Sequence, residues 1–144
     1  MSEIQDSPNV ALIKEYFRRV DLGEDAMPLF TNDFQFFYPK FGVTAGKEGF
    51  LEFVTGLFTM VKSISHPIET INFIEQGNQI VAEGLFHGET HSGTRWSPGT
   101  TPGGRFCSVF GILDGRIRRM HIYVDPDYGA TNTAGFLWGR DRQW

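Results

Sequence analysis

Arg105-Phe106-Cys107-Ser108-Val109-Phe110-Gly111-Ile112-Leu113 and Arg116-Ile117-Arg118-Arg119-Met120-His121-Ile122-Tyr123-Val124-Asp125 are two β-branched and aromatic runs on either side of Asp114-Gly115. Asp-Gly accepts the positive φ values of a type I′ turn, so the stretch reads as a long hairpin with its register set at the turn. The second strand carries His121, Tyr123 and Asp125 at period two. On a regular strand those three side chains share a face. The expectation is that a polar cluster at the end of this strand belongs to the functional site.

Upstream of the hairpin, Ser7-Pro8 is a helix start, with Ser as N-cap and Pro at the first helical position. The helix is expected to run to about Leu22, with Gly23 ending it. Ile13, Tyr16, Phe17 and Val20 share its apolar face. A short helical segment over residues 26–30 comes next, then a strand, Phe34-Gln35-Phe36-Phe37-Tyr38, closed by Pro39. Phe50, Phe53, Val54, Leu57, Phe58 and Val61 repeat at spacings of three and four, a helical stripe that has to lie against a sheet. Extended segments are expected over residues 66–75 and 79–91 around a Gln76-Gly77-Asn78 turn. A Gly-, Pro- and Thr-rich loop over 92–104 leads into the hairpin, and an aromatic tail, 126–144, follows it. Helices first and a meander of strands later make an α+β chain, one curved sheet over a helical layer, whose open end becomes a pocket.

A chain of 144 residues is one domain. Its 14 Phe, 3 Trp and 4 Tyr suit a cavity with flat apolar walls. A net charge of −4 argues against a nucleic-acid surface, which needs clustered Lys and Arg. No apolar run approaches membrane-spanning length, and the N-terminal residues lack the pattern of a secretory signal. With a single cysteine, Cys107, the expected compartment is the cytoplasm. His87-Gly88-Glu89-Thr90-His91 invites a metal reading at period two. The run lies near a strand end, where such residues are ordinarily solvated, so no metal is expected.

Tyr16-Phe17-Arg18-Arg19-Val20-Asp21-Leu22-Gly23, Asp33 to Pro39 with Phe41-Gly42, Gly46-Lys47-Glu48, and Asp114-Gly115-Arg116-Ile117 leading to Tyr123-Val124-Asp125 carry a resemblance. From about Val10 to Asp125 the chain resembles the nuclear-transport-factor-2-like superfamily, in particular SnoaL-like polyketide cyclases and ketosteroid isomerases. The resemblance implies a cone-shaped α+β barrel, a curved and mostly antiparallel sheet over about three helices in the N-terminal half. It puts Tyr16 at the position of an oxyanion-donating tyrosine. Tyr38 stands where the isomerases keep a proton-shuttling aspartate, and Ser108 near their second oxyanion donor. Asp125 is similar to the carboxylate closing the last strand of SnoaL-like cyclases and limonene-type epoxide hydrolases.

The expected protein is a cofactor-independent isomerase-, cyclase- or lyase-type enzyme, probing a small apolar ring with a carbonyl or phenol by acid-base proton transfer. Asp125 or His87 is the expected base, and Tyr16 and Tyr38 are the expected donors. Glu83, Ser108, His121 and Tyr123 are the supporting polar groups, and Phe53, Phe58 and Phe110 the apolar walls. A homodimer is the expected assembly. A non-catalytic hydrophobic-ligand or dimerisation module and an epoxide hydrolase-like enzyme are the alternatives.

Overall fold

The computed structural model describes residues 4–136 and 144. Helix α1 spans Pro8–Leu22, and its N-cap Ser7 accepts a hydrogen bond from the Val10 N–H at 3.1 Å. It stops at Gly23, whose φ of 71° lets its N–H turn back to the Arg19 and Val20 carbonyls. A 3-10 turn, Met27–Leu29, leads into β1, Phe30–Tyr38, and then β2, Gly42–Ala45. Helix α2 is Lys47–Met60. The remaining strands are β3 (Val61–Ser65), β4 (Asn72–Gln76), β5 (Gln79–Leu85), β6 (His87–Thr90), β7 (Arg95–Trp96), β8 (Arg105–Leu113) and β9 (Arg116–Val124).

Six strands form one sheet in the order β2-β1-β9-β8-β5-β4, and β3-β6-β7 form a second. Between the named strands of the described residues every pairing is antiparallel except that of β1 with β9, which is parallel. The α+β architecture is the expected one, with two differences. Two α-helices and short 3-10 turns stand where about three helices were expected, and the sheet does not close into a barrel. The expected single strand over 79–91 is two, because the chain passes from one sheet to the other at Phe86, whose N–H is taken by the Gly104 carbonyl at 2.8 Å. The loop over 92–104 contains β7, which extends the small sheet. Trp138 of the tail lies outside the described residues.

Asp114 and Gly115 both have positive φ, 51° and 74°, so the hairpin turns as expected. The register then slips. Gly111 faces Arg119 while Ile112 faces Ile117, leaving Arg118 as an extra residue on β9. A one-residue bulge reverses the side-chain parity of everything beyond it. Ile117 and Met120 both point inward and are fully buried, followed inward by Ile122 and Val124. His121, Tyr123 and Asp125 are thereby turned to the outer face.

The core is aromatic. Phe30 and Phe34 stack at 4.1 Å, and Phe50 meets Phe30, Phe34 and Phe36 edge-on at 5.0–5.9 Å. The stripe on α2 is only half used for this. Phe50 is buried and Phe53 packs on Phe36 and Tyr38 of β1 at 4.8 and 4.4 Å, whereas Val54, Leu57 and Phe58 remain partly exposed along the wall of a cavity. Replacing Gly115 with Val puts a β-branched residue at positive φ and is expected to cost about 1–3 kcal/mol. Urea unfolding measures it, and an unchanged midpoint contradicts the turn geometry.

Candidate functional site

The cavity holds about 540 Å³ between α1, α2 and the inner face of the sheet. That is the size of an ordinary small-ligand site. Val54 and Leu57 of α2, Phe106 of β8 and Val124 of β9 typify its walls, which are mostly apolar. The polar groups facing it come from five separate places: Tyr16 on α1, Tyr38 at the end of β1, His66 just after β3, Ser108 on β8 and Tyr128 beyond β9. Glu24 and Asp25 stand among the lining residues after α1, where Glu24 takes hydrogen bonds from Arg18 and Asp25 accepts one from the Met27 N–H.

His66 is held on two sides by one carboxylate. Its Nδ1–H donates to Asp21 Oδ1 at 2.6 Å and its backbone N–H donates to Asp21 Oδ2 at 2.7 Å. The ring lies among Phe17, Phe86 and Phe106 at 5.0–5.8 Å. With Nδ1 committed to Asp21, the nitrogen left for a ligand is Nε2. This is the arrangement by which a carboxylate fixes the tautomer and orientation of a general base.

Tyr16 is 5% exposed, and its ring packs on Phe17, Phe30 and Phe110. Burial, reinforced by the negative charge of Asp21, pushes its phenol well above the ordinary range. Tyr128 is pushed up likewise, by burial alone. Both therefore stay protonated and can donate but not take a proton. The Tyr38 and Tyr128 hydroxyls are hydrogen-bonded to each other.

Of the residues expected from sequence, the structure brings Tyr16, Tyr38, Ser108, Phe53 and Phe58 to the cavity. Phe110 lies beneath it, fully buried against Tyr16 and Phe17. The other five lie elsewhere. Asp125 is exposed and accepts from the Asp127 N–H at 2.9 Å, as a turn residue does. His121 is on the outer face, where Arg119 donates to its Nδ1 and its Nε2–H donates to Gln35 Oε1; desolvation first and Arg119 second lower its pKa. Tyr123 and Glu83 share that face. His87 points away from the cavity because its neighbour Phe86 points in, and it bonds Ser97 Oγ at 3.0 Å. The bulge removes the β9 residues, and strand alternation removes Glu83 and His87.

The metal run disperses too. His87 goes to Ser97, Glu89 approaches Arg95 and His91 meets the Phe58 carbonyl. Among the described residues no three His, Cys, Asp or Glu are placed to hold a metal ion. Nor is any helix among them long and apolar enough to cross a membrane.

Sequence reading missed His66, Asp21 and Tyr128. One signal for Asp21 was available: a carboxylate in the last turn of a helix opposes the macrodipole, and at i+4 from Phe17 it shares the buried face. His66 and Tyr128 sit in irregular segments with no periodicity to mark them.

Residues 13–120 match the SnoaL-like domain. The chain belongs to that family. Solved structures place its fold among the nuclear-transport-factor-2-like proteins. One of unknown function from Burkholderia pseudomallei superposes with a TM-score of 0.71 at 18% identity, over 83% of this chain and 92% of its own. TerC, crystallised with polyporic acid, gives 0.69 at 21%, over 83% and 92%. A candidate polyketide cyclase from Xanthomonas campestris pv. campestris gives 0.68 at 18%, over 82% and 90%. No functionally curated protein matches the chain in sequence.

The two raised phenols set a pH dependence. Above the ordinary phenol pKa of about 10 the unfolded chain gives up protons that the folded chain keeps, so their contribution is complete below that pH and falls above it. Urea unfolding at pH 8 and pH 10.5 is expected to show the loss. The Tyr16→Phe, Tyr128→Phe double variant should lose less, and an identical decline in both proteins contradicts the assignment.

Proposed function

We propose that the SnoaL-like cavity is the active site of a proton-transfer enzyme of the isomerase, cyclase or lyase type, acting on a small apolar ring-containing carbonyl or phenolic compound. The observation that carries this reading is the Asp21–His66 pair. It is a base with its orientation fixed, set among aromatic side chains in a cavity that protonated phenols also line. His66 Nε2 takes a proton from an acidic carbon or hydroxyl. The phenols of the cavity, Tyr16 among them, are the donors available to the oxygen on which the negative charge develops, and Ser108 is a further hydroxyl on the sheet. Such donors act strongly because they are already in place in a dry site. The proton on His66 then returns to another position of the ring system in an isomerisation, or to a departing hydroxyl in a dehydration.

Two relatives by fold support a ring-bearing ligand: TerC, for its polyporic acid, and the candidate polyketide cyclase. No cofactor is needed for a reaction of this kind. Deuterium uptake from D2O at the acidic carbon of 2-tetralone, a bicyclic ketone of suitable size, tests the reading by NMR. Wild type is expected to accelerate it, and His66→Gln to lose about 10²- to 10⁴-fold with the thermal midpoint little changed. Full exchange in His66→Gln rules out the base. Stabilisation by 2-tetralone without exchange favours the non-catalytic binding module, and a labelled-water oxygen in a diol product favours epoxide opening.

A homodimer through the outer face of the large sheet is part of the same proposal. The register aligns Val43, Phe37, His121, Val109, Val81 and Ile74 in one row across all six strands. Val43 and Ile74 are 59% and 55% exposed, and Tyr123 beside Phe37 is 49% exposed. An apolar row of that length favours burial against a second copy. Sedimentation is expected to give a dimer for wild type and a monomer for Val43→Lys, Ile74→Lys. A monomeric wild type rejects it.

A further inference from the structure

Tyr128 reaches the cavity from outside regular secondary structure, and the chain around it is fastened for that purpose. Asp127 Oδ1 accepts from the N–H and the hydroxyl of Thr131 at 3.0 and 2.8 Å, and its Oδ2 accepts from the Asn132 N–H at 2.9 Å. Those hydrogen bonds, the backbone one from Thr131 foremost, hold the Asp127 carboxyl below its ordinary pKa and so keep it ionised. Asp125 accepts from the Asp127 N–H, and the Ala130 N–H returns to the Asp127 carbonyl at 2.9 Å. Gly103 lies so close that a Cβ there would collide with the Tyr128 carbonyl oxygen. The Tyr128 ring is then clamped between Trp96 at 4.8 Å and the edge of Phe86 at 5.2 Å.

On the other side, Tyr38 ends β1 with its ring on Phe53 at 4.4 Å. The two hydroxyls meet inside the cavity wall, 3% and 7% exposed at Tyr128 and Tyr38. Of two bonded phenols one spends its proton on the other, and the acceptor keeps its own. The pair therefore offers one outward proton, polarised by the hydrogen bond behind it. Phe86 contacts both the Tyr128 ring, at 5.2 Å, and the His66 ring, at 5.8 Å, so the base and the phenol pair share one aromatic neighbour.

We propose that Tyr38 and Tyr128 together receive the carbonyl oxygen of the substrate, selecting flat rings that carry a carbonyl, and that Asp127 is the positioning residue for Tyr128. The inference rests on the cavity being a substrate site, but not on His66 being the base. Dissociation constants for 2-tetralone and for tetralin, which has the same shape without the carbonyl, test it by titration calorimetry. Wild type is expected to prefer 2-tetralone. Tyr38→Phe and Tyr128→Phe should each weaken 2-tetralone about tenfold, the worth of one hydrogen bond, while tetralin stays within about twofold.

Asp127→Ala is expected to reduce the preference for 2-tetralone, and Asp127→Asn, which keeps an acceptor oxygen, to restore part of it. Equal losses for both probes mean a loosened cavity and overturn the positioning role. If Tyr128→Phe does not fold, Tyr38→Phe reads the same pair from β1. A wild type that binds both probes alike, or binds neither, overturns the proposal. The base is read separately, by deuterium exchange, so a failed base and a failed phenol pair give different results.

Discussion

The extra residue at Arg118 governs what the large sheet presents to the cavity. Without it, the β9 side chains beyond the turn would alternate in the opposite sense, sending His121, Tyr123 and Asp125 inward and Met120, Ile122 and Val124 to solvent. With it, the sheet turns an apolar surface to the cavity, and Ser108 on β8 is the polar exception. Polar chemistry is left to groups arriving from outside the sheet's centre: one on α1, one after β3, one at the end of β1 and one beyond β9. A site assembled from strand ends and loops on a rigid apolar floor is a common solution, because loops can vary while the floor keeps its shape.

The aromatic content has a related consequence. Phe side chains fill the space under α1 as interlocked rings, and Phe50 and Phe53 of α2 pack on β1, whereas Phe58 at the end of α2 is left at the cavity wall. Phe50 and Phe53 are one helical turn apart and both border the cavity, yet the first is buried and the second only partly so. In a void of this kind an imidazole keeps its place only if its orientation is set by a partner. Asp21 does so through both the ring and the backbone of His66, joining α1 to the segment after β3 across 45 residues of chain.

Much of the architecture was readable from local signals. The Ser7-Pro8 start and Gly23 stop of α1, the Asp114-Gly115 turn and the α2 stripe each have a cause confined to a few residues. The site was less so. Tyr16 and Tyr38 sit on regular elements whose inner faces are marked by neighbours, and their inward direction could be deduced. Asp125 and His121 could not be placed correctly, because a bulge depends on how two strands fit and leaves no mark in the composition of either. His66 acquires its partner only when α1 folds against it, and Tyr128 only when Asp127 closes its turn. Such long-range and irregular relations are what periodicity cannot see.

The parallel pairing of β1 with β9 bears on how the molecule comes into being. Phe36 and Met120 are partners although most of the chain lies between them. Closing so large a loop is costly before its contacts form, and sheets dominated by distant pairings fold slowly. On the ribosome, the inner Phe34 and Phe36 of β1 emerge early and are covered on that side only when the final hairpin arrives. The last strand to be synthesised is thus the one that seals the first, and the cavity does not exist until it has done so.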